Sequence, residues 1–221
     1  MRLKIILPMV FVVLTVICPI YGQQPTPDSA FIPPPGEGFE ADMSEFNDPA
    51  VRGSVVLLDQ YGDGVSDWTG NATLSQDFEA DWNDYDVAAV DNFSVSESCK
   101  IVQIVCGLRT LGGCDYQNIS GFRVNIHNNI ESAQSSIYGN VASLYVDAAD
   151  TTIIEQATNQ YMLYMDEALT GAPLSTLPTL SPGEYWFSIV PVNNYGNNGQ
   201  TAIEQSTIGD GGFRACPSGG F

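Results

Sequence analysis

The chain has 221 residues, with 26 acidic and seven basic side chains, one histidine and a formal net charge of −19 at pH 7. An acidic surface of this kind repels nucleic acid and anionic lipid, so neither is a predicted partner. The single histidine, His127, excludes a metal site built from several histidines. We expect it at a solvated or strand-edge position.

The N-terminus has the order of a secretory signal. Arg2 and Lys4 precede an apolar run over residues 5–17, and a short segment ending at Gly22 follows. The run is shorter than the roughly 18 to 20 residues that a membrane-spanning helix needs, so we predict cleavage after Gly22. Residues 1–22 are then a signal peptide, and the mature chain is secreted, has no membrane partner and is still more acidic.

The next segment, residues 23–50, is rich in proline, glycine and acidic residues and has no hydrophobic period. It is predicted to be an extended or disordered linker. Residues 51–221 are long enough for one domain with a substantial core.

Short β-rich runs separated by turn residues follow in chain order. Residues 54–58 (SVVLL) predict a buried strand closed by the turn DQYGDG. In VAAVDNFSV, residues 87–95, the pair Asp91 and Asn92 predicts a corner between two strands, because these residues hydrogen-bond their own backbone in turns. Residues 100–111 alternate as a strand would, with Val102, Ile104, Cys106 and Leu108 on one face.

The alternating run FRVNIH, residues 122–127, is predicted to pair with residues 100–111, which would bring Arg109 and Arg123 close together. Further strands are predicted over residues 142–146, 161–169 and 184–192, and two turns of helix over residues 152–158. No long segment has a helical period. The predicted fold is therefore an all-β, antiparallel, jelly-roll-like sandwich behind a signal peptide and a Pro-rich arm.

Four cysteines follow the predicted signal. In an exported chain an even number favours two disulfides, with three possible connectivities. A zinc site is the alternative, but its usual short C-x2-C steps are missing. We predict disulfides among Cys99, Cys106, Cys114 and Cys216.

Aspartates cluster early in the predicted domain around a glycine-containing turn. Calcium needs six to eight oxygen ligands from a loop that can bend around it, and this region offers the oxygens without the order of an EF-hand. Two interpretations stay open, a calcium site or solvated turn residues. The predicted ligands are Asp59, Asp63, Asp67, Asp84, Asp86 and Asp91.

The sequence contains no phosphate-binding glycine loop, zinc helix or nucleophile elbow, and we assign no catalytic residue. Abundant carboxylates keep a glycosidase-like hydrolase as the alternative, because that chemistry needs two carboxyl groups that face each other across a sugar. Glu167 and Glu184 are its candidates, since each adjoins aromatic residues.

Aromatic side chains outside the predicted core suggest binding. Trp68, Trp82 and Tyr195 could give a sugar ring apolar contact, whereas Trp186 belongs to a predicted core strand. The leading prediction is a secreted, non-catalytic module that binds a glycan or an extracellular surface protein. Calcium is the one predicted cofactor.

Three short segments resemble a loose group of exported bacterial β-sandwich proteins, mostly of unknown function. Residues 90–95 (VDNFSV) are similar to the group's A-D-D-F-x-V, residues 143–148 (SLYVDA) to V-x-I-Y-x-D-A, and residues 182–189 (PGEYWFSI) to P-G-x-Y-W-x-S-V. Asn92 replaces the group's second aspartate, and the cysteines are not a feature of the group. The resemblance implies a sandwich over residues 51–221 and no shared chemistry.

Overall fold

The computed structural model describes residues 68–206 and 212–217, and also the backbone of two more strands at residues 12–17 and 55–59. The described chain forms two antiparallel sheets that pack face to face, which confirms the predicted all-β sandwich. The strands are β1 Val12–Ile17, β2 Val55–Asp59, β3 Trp68–Leu74, β4 Ala88–Val95, β5 Lys100–Leu111, β6 Gly121–His127, β7 Ala142–Asp147, β8 Thr152–Ala157, β9 Gln160–Asp166, β10 Gly183–Val192, β11 Gln200–Ser206 and β12 Phe213–Ala215.

Helical segments within the described residues are short. They are α1 Ile130–Ser135, α2 Tyr195–Asn198 and the 3-10 helices Ala80–Tyr85, Tyr116–Asn118, Ala148–Asp150 and Leu174–Thr176. No helix in this part of the chain is long and apolar enough to cross a membrane.

The larger sheet has the order β2-β1-β5-β11-β3, with β9 also paired to β5 and β8 paired to β9. One edge of β5 pairs with β9, and the other is shared by β1 along its first half and β11 at its end. The smaller sheet has the order β12-β4-β10-β6-β7. The core between the sheets is built from alternate side chains of both, with Phe122, Leu163 and Phe187 among its buried residues.

The face of β5 that points to the core differs from the prediction at one residue. Ile104, Cys106 and Leu108 face the core as predicted, but Ile101 joins them instead of Val102. The pairing of β1 with β5 is irregular at this point and skips Val102. A bulge of this kind adds a residue and reverses the facing of the strand on one side of it.

The predicted pairing of β5 with β6 is wrong. β6 lies in the smaller sheet between β10 and β7, so Arg109 and Arg123 do not meet. Arg109 instead binds the buried carboxylate of Glu204 at 2.7 Å. Strands that alternate in the same way can pair with any other such strand, and the chain here crosses to the opposite sheet after β5.

Two local predictions are also wrong. Residues 152–158 do not form a helix, because β8 and β9 make a hairpin whose turn has Asn159 at a φ of 62°, a conformation that asparagine tolerates. Asp91 and Asn92 lie in the middle of β4 and are not at a corner. Asp91 is buried between Ala89 and Phe93 on the core face, and its Oδ1 accepts a hydrogen bond from the Asn92 amide at 2.8 Å.

The predicted signal peptide overlaps the described residues only at β1, which lies between β2 and β5. Cleavage after Gly22 and the linker at residues 23–50 fall outside the described residues. Both stay predictions.

Candidate functional site

Aromatic side chains converge at one end of the sandwich and line an open pocket, which we call the aromatic pocket. Its volume is about 390 Å³ including the open mouth, and its lining consists of Phe78, Trp82, Tyr85, Tyr195 and Gln200. The ring centroid of Trp82 lies 5.5 Å from that of Tyr85 and 5.8 Å from that of Tyr195. Phe78 meets Tyr195 edge to face at 6.0 Å.

The 3-10 helix Ala80–Tyr85 explains why Trp82 and Tyr85 are neighbours. Side chains three positions apart lie directly above one another in a helix with three residues per turn. The first turn is closed by a bond from the Trp82 amide to the carbonyl of Glu79 at 2.8 Å. This short helix therefore presents both rings on one side.

The third ring comes from a distant part of the chain. Tyr195 opens α2, whose N-cap Asn194 accepts a hydrogen bond from the Asn197 amide. Both carboxylate oxygens of Glu79 accept hydrogen bonds from this turn, Oε2 from the Tyr195 amide at 2.7 Å and Oε1 from the Gly196 amide at 3.1 Å. Partial burial raises the pKa of Glu79, but these backbone bonds outweigh it and the pKa is lowered. Glu79 thus ties the two sides of the aromatic pocket together.

The rings are open to solvent. Trp82 is 40% exposed, Tyr85 36% and Tyr195 42%, whereas Phe78 is buried beneath them. Trp82 and the two tyrosine rings that it contacts form an apolar surface that a sugar ring or a cation can cover.

A charged cluster lies next to the aromatic pocket, because its Asp77 directly precedes Phe78 of the pocket lining. Arg123 pairs with the buried carboxylate of Asp77, and its guanidinium lies 5.1 Å from the ring centroid of Tyr138 and 5.8 Å from that of Tyr145. Asp86 accepts a hydrogen bond from the Phe78 amide at 2.8 Å. Burial, followed by the nearby charge of Asp77, raises the pKa of Asp86 to about 6 against the opposing effect of that hydrogen bond.

The structure brings two of the three predicted ligand-binding aromatics together. Trp82 and Tyr195 share the aromatic pocket, and their binding role stays a prediction. Trp68 is only 8% exposed and packs with Val105, Met162 and Tyr164, so the expectation that it lies on the surface is wrong. The prediction missed Tyr85. Its spacing of three residues from Trp82 indicates a shared face only in a 3-10 helix, and that helix was not predicted.

The six predicted calcium ligands are not gathered in the part of the chain that the structure describes. The side chain of Asp59 and the whole of Asp63 and Asp67 lie outside the described residues. Asp84 is exposed, Asp86 contacts the Phe78 amide, and Asp91 is buried in β4. Within that part, no three His, Cys, Asp or Glu side chains are placed to hold a metal ion. Calcium binding stays a prediction.

Within the described residues no disulfide joins any two of Cys99, Cys106, Cys114 and Cys216, so the predicted pairing among them is wrong. Cys99 and Cys106 lie along one extended segment, seven positions and roughly 20 Å apart, whereas a disulfide requires Cα atoms within about 7 Å. Cys106 faces the core, and Cys114 accepts a weak bond from Asn193 at 3.7 Å. Burial raises the pKa of the Cys114 thiol to about 11, so it is protonated at neutral pH.

His127 is fully buried under α1, not solvated or at an edge as expected. Its Nδ1 contacts the hydroxyl of Ser132 at 2.9 Å, and Nε2 has no hydrogen-bond partner within the described structure. Burial lowers its pKa, so the neutral ring is favoured. The short helix after β6 folds back over the strand end and covers the ring, which strand alternation alone did not indicate.

The two glutamates named for hydrolysis lie apart from the aromatic pocket. Glu184 is exposed on β10, where Oε1 accepts a hydrogen bond from Asn92 at 3.2 Å. Glu167 is exposed in the turn after β9. Neither belongs to the pocket lining.

Fold and site together define an antiparallel β-sandwich with a solvent-open aromatic pocket at one end. Comparisons with protein-family models, with curated proteins and with solved structures find no match for this chain.

Proposed function

We propose that this protein is a secreted, non-catalytic β-sandwich module that binds a glycan in the aromatic pocket. One observation carries the proposal: Trp82 contacts both Tyr85 and Tyr195, which come from two distant segments, and all three rings remain exposed. Exposed rings suit the apolar faces of sugars, which they cover without taking the sugar hydroxyls out of water.

The surroundings of the rings support the same ligand class. Gln200 adds an amide that can both donate and accept hydrogen bonds, which gives the pocket a polar group for orienting a hydroxylated ligand. Without its open mouth the cavity is about 150 Å³, which is small for a ligand pocket and suits a single sugar ring better than an extended chain.

The test is binding to an oligosaccharide array, followed by titration calorimetry with any glycan that binds. Trp82→Ala should weaken binding by about tenfold or more, as loss of a central aromatic contact does. Leu169→Ala, which removes another exposed apolar side chain away from the pocket, is the control. An empty array would refute the proposal. If the protein instead captures an extracellular protein, and Trp82→Ala abolishes that capture, the ligand of the pocket is a surface protein, the other predicted partner.

Calcium stabilisation is a separable part of the proposal. A chelator should lower the melting temperature, and calcium but not magnesium should restore it, since a ligand that binds only the folded state stabilises it. An unchanged melting temperature would remove calcium from the proposal and leave glycan binding untouched.

A second candidate function is hydrolysis by paired carboxylates, and Asp86 favours it. This carboxyl has a pKa of about 6, adjoins Tyr85 of the pocket and is influenced by the charge of Asp77. A glycosidase uses one carboxyl in its protonated form and another in its ionised form. Release of reducing ends from a bound glycan by the wild type, lost in Asp86→Asn, would favour a hydrolase. Binding without hydrolysis would leave the non-catalytic module.

A further inference from the structure

The charged side chains on the segment that carries Trp82 and Tyr85 are all acidic. The five lining residues carry no charge, while the segment that holds Trp82 and Tyr85 also carries Glu79, Asp81, Asp84 and Asp86. Arg123, the basic side chain of the adjoining cluster, is already paired with Asp77. Across the whole chain, acidic residues outnumber basic ones by 26 to seven.

The four carboxylates differ in what they can still offer to a ligand. Glu79 uses both oxygens on the backbone of α2, and Asp86 accepts from the Phe78 amide. Asp81 and Asp84 lie exposed in the same six-residue 3-10 helix as the two rings. Side chains in a 3-10 helix repeat every three residues, so Asp81 and Asp84 lie on the side of this helix next to that of the two rings. At about 0.01 M salt the screening length is about 30 Å, longer than a helix of six residues, so their charges act on whatever enters the pocket.

Aromatic rings and carboxylates favour the same kind of ligand group. The face of an indole or phenol ring is negative and attracts an ammonium group, and tryptophan is the strongest of these rings. A neutral sugar can give Asp81 and Asp84 only hydroxyl hydrogen bonds, whereas an ammonium group adds charge attraction and a uronic or sulfated sugar is repelled by them.

We propose, on the basis of the glycan binding proposed above, that the aromatic pocket takes an amino glycan whose protonated amine lies against Trp82 and Tyr85 and is balanced by Asp81 and Asp84. The chemical class is therefore a glycan with free amines, as in an oligomer of glucosamine. Acetylated and acidic sugars of the same size are excluded as preferred ligands.

Three probes of equal length and linkage separate charge from shape, namely oligomers of glucosamine, of N-acetylglucosamine and of glucuronic acid. At pH 6 and about 20 mM salt, where screening is weak, the glucosamine oligomer should bind at least about tenfold more tightly than the acetylated one. The glucuronate oligomer should not bind. Raising the salt to about 0.5 M should remove most of the preference, because exposed charges are then screened.

Two double variants locate the effect. Asp81→Asn with Asp84→Asn should reduce glucosamine binding several-fold and leave binding of the acetylated oligomer unchanged. Glu97→Gln with Glu155→Gln removes the same charge from exposed sites elsewhere and should change neither. Melting curves confirm that each variant is folded.

Each outcome separates this inference from the proposed function. Equal, Trp82-dependent binding of the glucosamine and acetylated oligomers would overturn the amine preference and leave glycan binding standing. Equal losses in both double variants would overturn the role of Asp81 and Asp84, because net charge alone would then explain the preference. If no oligosaccharide binds, including every member of the wider array, the proposed function fails together with the inference.

Discussion

Glu79 and Tyr195 are joined by a hydrogen bond of 2.7 Å from the Tyr195 amide to the Glu79 carboxylate, and this bond links two segments that are far apart in the chain. The same carboxylate accepts a hydrogen bond from the Gly196 amide, and an added Cβ at Gly196 would lie 3.4 Å from Oε1, an ordinary van der Waals contact. The position of Tyr195 against Trp82 therefore depends on a charged residue that is not in the pocket lining.

We expect Glu79→Gln to weaken this link. An amide has one acceptor oxygen where the carboxylate has two, so the variant should lose about 1 kcal/mol of stability. The pKa of Glu79 is lowered in the fold, so its contribution is present above the unfolded-state pKa and is lost as the pH falls. Denaturant unfolding at pH 7 and pH 3.5 tests this. Glu97→Gln is the control, and an equal loss at both pH values would contradict the prediction.

Asp86 should give the opposite pH dependence. Its pKa is raised to about 6, so the folded state holds a proton that the unfolded state has released, and stability should fall as the pH rises from about 4 to 6. Asp86→Asn keeps an acceptor for the Phe78 amide and removes the charge. The melting temperature of the variant minus that of the wild type should therefore increase between pH 4.5 and pH 7.5. A constant difference across that range would show that Asp86 ionises normally.

His127 can be measured without a mutation because the chain has no other histidine. Burial lowers its pKa, so protonation is opposed in the fold and this residue should cost stability as the pH falls below about 6.5. The single set of imidazole signals in a nitrogen–proton NMR titration should give a midpoint below that of a free histidine. A midpoint at or above about 6.5 would mean that α1 opens and admits water to the ring.

Gly139 should not tolerate a side chain. A Cβ there would lie 2.0 Å from the Ala142 carbonyl oxygen and 2.4 Å from that of Ile126, both backbone atoms that cannot turn aside. Gly139→Ala should therefore cost about 3 kcal/mol, as overpacking does. Gly183→Ala is the control, because its nearest neighbour would be a ring atom of Tyr185 at 3.7 Å. Equal unfolding midpoints for the two variants would contradict the close approach of the backbone at Gly139.

Local sequence patterns predicted where strands lie better than which strands pair with one another. The bounds of β5 were predicted correctly, because the alternation from Val102 to Leu108 indicates a strand, but the irregularity at Val102 could not be read from the pattern. The sheet that contains β6 was predicted wrongly, because strand pairing depends on the path of the chain after each strand. Trp68 and Trp82 have similar polar surroundings in sequence, and only the tertiary fold buries one and exposes the other. Asp91 was misassigned because a buried carboxylate inside a strand is rarer than a turn aspartate.

The position of β1 has a consequence for the predicted export. β1 pairs with β5 from Lys100 to Cys106, and its residues, Val12–Ile17, fall inside the segment predicted to be cleaved after Gly22. The same six residues cannot both be the leader that a signal peptidase removes and a strand of the finished sheet. If the precursor folds before translocation, β1 is paired within the sheet and the predicted signal peptide is inaccessible to the peptidase. If the predicted cleavage comes first, the first half of the β5 edge is open to pairing with another strand. If the chain is exported as predicted, the timing of translocation relative to folding decides which of two sheets the protein has.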